Sequence, residues 1–444
     1  MRLVIENLAK ISKAEIMLDG ITIIGGENNT GKSTIGKAVF SIFKSFYKID
    51  DIVNINRCTE LAEILFSSLE ECKNNMIELI FVVEKSYFEL EKFNDNYKNI
   101  FALDTTKEEE IEKLRKIVNE IYDELKNDYP ELKLEFEGVV ENAVDRIIST
   151  NLNVSNLSIK KTRLISCFKN VFNNQINNIN SNLPTSIEAY IKDKKVFVNI
   201  NGNSVEFNSD LVFTNSATLI DNPFIINKLY NRETDDYIPV NDLLLKLKEA
   251  ARLANDIDKN LISKTIAQDK LTDVLNIFEK TLHGKLARSN SNKLSYIEEG
   301  NSQPTDIINL SAGLKSFVIL QLLLECNQIK EKDVLILDEP EIHLHPEWQL
   351  IYAEIIVRLQ KIFDLTVLIT SHSPAFIRSI ECFCDIYDRM DVLNVYKTVK
   401  DEKQKNCCIL ENISYSEYGV TELYEQLSQP FEELERLLEK KYGE

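Results

Sequence analysis

The sequence predicts an α/β fold: a head with buried strands and flanking helices, interrupted by an inserted helical domain. Three stretches point to it. Ile21-Thr22-Ile23-Ile24 runs into the glycine-bounded loop Gly26-Glu27-Asn28-Asn29-Thr30-Gly31-Lys32-Ser33. Val334-Leu335-Ile336-Leu337 ends in Asp338-Glu339-Pro340, and Leu365 to Thr370 delivers Ser371-His372-Ser373-Pro374. Unbroken apolar runs of this length suit strands covered on both faces, the usual state of parallel strands.

The elements follow in order. Met1 to Glu6 reads as a strand, and Lys32 to Tyr47 reads as a helix leaving the loop. That strand–loop–helix setting is the one a G-x-x-x-x-G-K-[ST] phosphate loop requires. Its end glycines let successive N–H groups curl toward phosphate oxygens. Gly26, Asn28, Asn29, Thr30, Gly31, Lys32, Ser33 and Thr34 form the candidate contact set. Lys32 supplies a point charge for terminal phosphates and Ser33 a hydroxyl for Mg²⁺. Asn29, inside the curl, tolerates left-handed backbone better than most residues.

Residues 51–190 are helical and polar in pattern. Thr106-Lys107-Glu108-Glu109 reads as a capping box, followed by Ile111, Leu114, Val118, Ile121 and Leu125 at a/d spacing. That register is too short for a long coiled-coil arm. Alternation returns at Lys195 to Ile200, and Asn201-Gly202 signals a tight turn into Ser204 to Phe207. Residues 224–283 read as helical and Gly284 to Glu299 as a hairpin. Leu310-Ser311-Ala312-Gly313-Leu314-Lys315-Ser316 then opens a helix reaching about Cys326. Free N–H groups at such a start favour an anion. From Ser414 the tail is helical through Leu423, Leu427, Phe431, Leu434 and Leu438. Four divisions result: a first head segment (1–50), a helical insertion (51–190), a second head segment (191–400) and a helical tail (401–444).

Taken in order, these motifs resemble the P-loop NTPases of the ATP-binding-cassette (ABC) type, in particular the soluble SMC/Rad50-like branch. Asp338-Glu339-Pro340-Glu341-Ile342-His343-Leu344-His345-Pro346 is similar to the bacterial AAA-domain ATPases of the overcoming-lysogenization-defect group. Related ATPase subunits occur in phage-defence systems of the Septu and PARIS kinds. The resemblance implies an ATP-binding head with Mg²⁺ held by Ser33 and Asp338, Glu339 polarising the attacking water, and His372 contacting the γ-phosphate. It implies that Ser311 and Gly313 reach ATP bound in another subunit, giving a homodimer or higher oligomer. Ala312 and Lys315 depart from the common signature, and no glutamine follows Asp210, where a Q-loop is expected.

Composition narrows the partners. Net charge is −19, so no general basic surface draws the chain to nucleic acid or anionic membrane. No stretch reaches the ~20 apolar residues of a membrane span, and a start without a signal-peptide pattern implies a cytoplasmic protein. Cys382-Phe383-Cys384 and Cys407-Cys408 lack the spacing of a zinc knuckle, and His343 and His345 fit a loop before a helix better than a metal site. The residues after His372 are too few for a TOPRIM nuclease unit, and Asp385, Asp388 and Asp391 suit an exposed edge. No Arg is followed by His at the spacing of HEPN ribonucleases. The expected role is therefore an ATPase that regulates a separate effector, a nuclease or toxin encoded nearby. A DNA-clamping repair ATPase is the alternative, which leaves DNA open as a partner.

Overall fold

A computed structural model describes residues 1–70, 100–253 and 272–442, apart from 102–103, 105, 129, 131–137, 192–193, 210–212, 232–234, 273, 279–282, 289–292, 301–302 and 415–418. It divides into two compact units, Met1–Tyr47 with Arg163–Glu444, and Lys48–Thr162.

Alternating apolar residues make β1 (Arg2–Leu8) and β2 (Ile11–Met17) an antiparallel pair with one buried face. β3 (Ile21–Gly25) is buried at every position. β4 (Thr185–Ile191), β5 (Lys194–Asn201) and β6 (Ser204–Ser209) extend the antiparallel half from β1. The β5–β6 turn is centred on Gly202-Asn203, because Asn201 pairs with Ser204, and Gly202 takes φ 58°. β7 (Ala217–Ile220) forms one sheet edge, while β8 (Gly284–Arg288), β9 (Leu294–Glu298) and β10 (Thr305–Asp306) make a separate 3-stranded sheet. β11 (Val334–Asp338), β12 (Thr366–Ser371), β13 (Leu393–Lys400) and β14 (Cys408–Asn412) complete the main sheet. Its 11 strands run β6-β5-β4-β1-β2-β14-β13-β3-β12-β11-β7. The five strands from β13 to β7 are mutually parallel. Helices Lys32–Phe46, Ala312–Glu325 and Pro346–Phe363 follow strands or caps as their sequence predicts.

The second unit has its own core. Leu61 and Leu65 of helix Ile49–Glu70 meet Leu114, Val118, Ile121 and Tyr122 of helix Glu108–Asp128, with Ala143 and Ile147 closing the cluster. The a/d positions are thus packed inside a bundle; the Leu125 side chain lies outside the described residues. Thr106 does not cap: its hydroxyl donates to Asp104 at 2.7 Å, and the helix begins two residues later.

Two domain boundaries shift. The compact insertion ends at Thr162, not near 190. β4, assigned above to the insertion, pairs with β1 because Ile187 and Ala189 alternate inward against that strand. Within the expected helical tail, β14 instead lies between β2 and β13, and the helix proper is Gly419–Tyr442. Residues 254–271 and the Phe431 side chain fall outside the described residues.

Candidate functional site

Strand register gathers the chemistry at one edge of the sheet. Gly25 pairs with Ser371, Thr370 with Asp338, and Leu337 with Ile220. The carboxyl ends of β3, β12, β11 and β7 are therefore level, where open α/β sheets bind ligands.

The loop from β3 curls as its residues require. Gly26 takes φ 153°, Asn29 66° and Gly31 90°, and a Cβ on Gly26 would sit 1.9 Å from Thr398 Oγ1. Lys32 is 3 % exposed; its Nζ donates to the Gly26 and Glu27 carbonyls at 2.8 and 2.7 Å and lies 3.6 Å from Glu339 Oε1. Burial pushes the Lys32 ammonium down in pKa, opposed by Glu339, Glu341 and Asp338. Ser33 and Thr34 occupy the first helical turn, the Thr34 N–H returning to the Gly31 carbonyl at 3.1 Å. Asn28 is exposed beside them.

Two supports come from distant sequence. Thr398 on β13 is buried and donates to Thr30 Oγ1 at 2.8 Å. Lys10, in the β1–β2 turn, bonds the Asn29 side chain. A cleft of about 980 Å³ opens beside the loop, with Glu27 to Thr30 on one side and Lys10, Lys403 and Lys405 among its other lining residues. Neither support was visible in sequence, because each depends on a strand neighbour hundreds of residues away or on a turn without a motif.

The carboxylates stand opposite the loop. Asp338 ends β11 and accepts from the Thr370 hydroxyl. Glu339 holds an uncommon φ of 48°, its N–H donating to the Thr370 carbonyl and hydroxyl, both at 3.1 Å. Its Oε1 lies near Lys32 and its Oε2 is 3.5 Å from His372 Nδ1. Lys32, Glu339 and His372, predicted from separate motifs, thus meet. Glu341, absent from the predicted set, is 2 % exposed and lies 3.5 Å from the same His372 nitrogen.

Ser311 caps helix Ala312–Glu325, its side chain accepting from the Leu314 N–H at 3.3 Å. Gly313 is buried, and a Cβ there would lie 2.9 Å from the His343 carbonyl and 3.1 Å from Trp348. Close helix packing is therefore one reason for glycine at that position. Lys315, where the common signature differs, donates to the Ile308 carbonyl at 2.7 Å and sits over the Phe224 ring. Asp210 to Val212, part of the stretch searched for a Q-loop glutamine, lie outside the described residues. β7 flanks β11 and leads into Asp221, a residue the sequence reading missed. Asp221 is exposed as a whole, yet its carboxyl is crowded enough that desolvation raises its pKa, with Asp338 adding repulsion.

His343 and His345 precede helix Pro346–Phe363, with His345 as its cap, and Asp385, Asp388 and Asp391 are all exposed. Among the described residues, no group of three or more His, Cys, Asp or Glu is placed to hold a metal ion, and no helix is long and apolar enough to cross a membrane.

The sequence matches the model of the AAA ATPase domain over residues 1–377. The chain belongs to that family. The matched span holds the phosphate loop, Asp338, Glu339 and His372, so this AAA ATPase carries its candidate site within the family region. It is 28 % identical over 169 residues to an Escherichia coli protein named "Retron Ec83 probable ATPase". That similarity spans 31 % of this chain and 30 % of the relative. Among solved structures, it is similar to an SMC head bound to the C-winged helix domain of ScpA, at TM-score 0.43 and 11 % identity, covering 93 % of this chain and 98 % of that one. An SMC head domain from Thermotoga maritima gives TM-score 0.36 and 11 % identity, with coverages of 93 % and 97 %.

Proposed function

We propose that this AAA ATPase binds and hydrolyses ATP and that its nucleotide state controls a separate effector in antiphage defence. The meeting of Lys32, Glu339 and His372 at level strand ends carries the catalytic part. In this reading the loop N–H groups and Lys32 hold the β- and γ-phosphates. Glu339 takes a proton from the attacking water, and its carboxylate reaches past the end of β12 toward the loop. His372 donates to the γ-phosphate. The glycine cradle, the buried ammonium and Asp338 at the strand tip fit a phosphate chain with a divalent ion, which Ser33 and Asp338 would hold. Mg²⁺ bound there would neutralise charge on the phosphate oxygens. Asp221 is a further carboxylate on that side.

Exposed Ser311 at a helix start is the surface offered to ATP in a second copy, so the working unit is a dimer or higher oligomer. The family membership, the similarity to a retron-named ATPase and the phage-defence character of the resembling sequences support the defence role. A net charge of −19 favours a protein effector over direct DNA clamping. Within this proposal the chain itself cuts neither DNA nor RNA, and it works in the cytoplasm.

The test is an Mg²⁺-dependent ATPase assay on the purified chain, followed by phage challenge of cells carrying it with its neighbouring genes. Absence of Lys32-dependent hydrolysis in both the isolated chain and its co-purified complex would remove the catalytic reading. Protection unaffected by Lys32→Ala would remove the regulatory one.

A further inference from the structure

Behind His372 lies a carboxylate that the proposed chemistry does not use. Glu341 follows the Asp338-Glu339-Pro340 turn and is 2 % exposed. Its Oε1 accepts from the Ser371 hydroxyl at 2.6 Å and from the His372 N–H at 3.1 Å. The same oxygen lies 3.5 Å from His372 Nδ1. Glu341 Oε2 and His372 Nδ1 are both buried atoms without a hydrogen-bond partner. Burying a carboxylate with one oxygen unsatisfied is costly, and desolvation accordingly raises its pKa against the pull of Ser371 and His372. A residue serving packing alone would be served better by an apolar side chain.

We propose that Glu341 is the positioning residue of His372: it clamps the backbone N–H beneath the ring and faces Nδ1, so that the Nε2 edge is presented to the terminal phosphate. This rests on the ATPase reading for its consequence, but not for its geometry. Three groups face the imidazole nitrogen or its backbone: Glu341 from the turn after β11, Glu339 from the same turn, and Ser371 from the end of β12. Glu339 is paired with Lys32 on its other oxygen, so it is shared between Lys32 and His372. Glu341 instead bonds the His372 backbone and faces the ring nitrogen. Without it, His372 is left to follow Glu339, whose place changes when Lys32 turns to a phosphate.

The experiment is a double-mutant cycle with Glu341→Gln and His372→Ala, read by steady-state ATP hydrolysis and by titration with a fluorescent ATP analogue. Glutamine keeps the volume and one acceptor oxygen but removes the charge. Glu341→Gln is expected to lower kcat about tenfold or more while changing nucleotide affinity less than about threefold, the size expected for loss of a charge-assisted hydrogen bond. In the His372→Ala background the same change is expected to cost less than about twofold, because the group it acts through is gone. Equal losses in both backgrounds, or an unchanged kcat in the single variant, would overturn the proposal. A second readout needs no turnover: with ¹⁵N-labelled histidine, the ring resonances missing from His372→Ala identify His372 among the 4 histidines. Those resonances are expected to shift in Glu341→Gln, and unchanged ones would overturn the clamp. If neither the parent chain nor its co-purified complex shows ATPase activity, the ATPase reading falls and the ring resonances alone decide the clamp.

Discussion

Replacing Gly26 with alanine tests how the loop is held. The residue takes φ 153°, where an L side chain is strained by about 1–3 kcal/mol. The new methyl would also lie 1.9 Å from Thr398 Oγ1, a hydroxyl buried on β13 and bonded to Thr30. Forcing a methyl into a filled site costs about 1–3 kcal/mol more. At about 1.4 kcal/mol per tenfold, even about 2 kcal/mol of combined strain weakens ATP binding about thirtyfold if the loop yields. Thr398→Ala by itself removes one buried hydrogen bond, about 1 kcal/mol or about fivefold. The double variant removes the clash but not the backbone strain, so its loss is expected to fall short of the product of the single losses by about fivefold or more. Fluorescent-nucleotide titration of the four proteins measures this, with thermal unfolding as a check on folding. Near-parental affinity for Gly26→Ala, or losses that simply multiply, would refute the idea that Thr398 shapes the loop.

Other consequences follow from the same geometry. Lys32→Ala is expected to abolish ATP binding by calorimetry, since it removes the buried cation of the loop. Glu339→Gln is expected to bind ATP but hydrolyse it at least about a hundredfold more slowly, because an amide cannot take the proton; parental turnover would exclude Glu339 as the base. Ser311→Arg is expected to spare ATP binding and impair hydrolysis, and mixing it with excess Lys32→Ala should restore some turnover by rebuilding one good site in a mixed pair. Glu341 has a pKa raised by burial, so the folded protein holds its proton where the unfolded chain has released it, and stability falls as pH rises above the unfolded carboxylate range. The melting temperature of Glu341→Gln relative to the parent should therefore climb as pH rises above the unfolded carboxylate range, and a flat difference would contradict the assignment.

Three of the five parallel strands were legible because their runs are largely apolar, whereas β7 and β13 were not singled out in sequence. β3, β11 and β12 announce themselves by composition, and each hands its motif to the sheet edge. The antiparallel half was harder to read. β4 alternates Ile187 and Ala189 with polar residues, which suits a strand covered on one face but is easily absorbed into the polar insertion before it. β14 is 5 residues long and begins with buried Cys408, so its position between β2 and β13 depends on pairing that local pattern cannot reveal. Lys32, Asp338, Glu339 and His372 stood in motifs, whereas Thr398, Lys10, Asp221 and Glu341 matter through neighbours. Glu341 shows the difference: in sequence it is one acidic residue after a proline, while in the fold it is a buried carboxylate beneath a histidine.

The polar groups of the site are linked through Thr370 and Glu339. Thr370 gives its hydroxyl to Asp338 and receives the Glu339 N–H, so one β12 side chain holds the Asp338 carboxylate and the Glu339 backbone amide. The left-handed turn at Glu339 then sends its two oxygens in different directions, one to Lys32 and one to His372. A phosphate chain that draws Lys32 away would leave Glu339 with His372 and with whatever water lies beside it. The same binding event would thus bring up the substrate and release the proposed base from its ammonium partner. Strain at Glu339, about 1–3 kcal/mol for a non-glycine residue in this region, is the cost of that placement. The strain is tolerable because Thr370 holds the Glu339 amide from the next strand. Loss of the Thr370 hydroxyl should therefore depress hydrolysis more than nucleotide binding, since it frees the base while leaving Lys32 and the loop as they are.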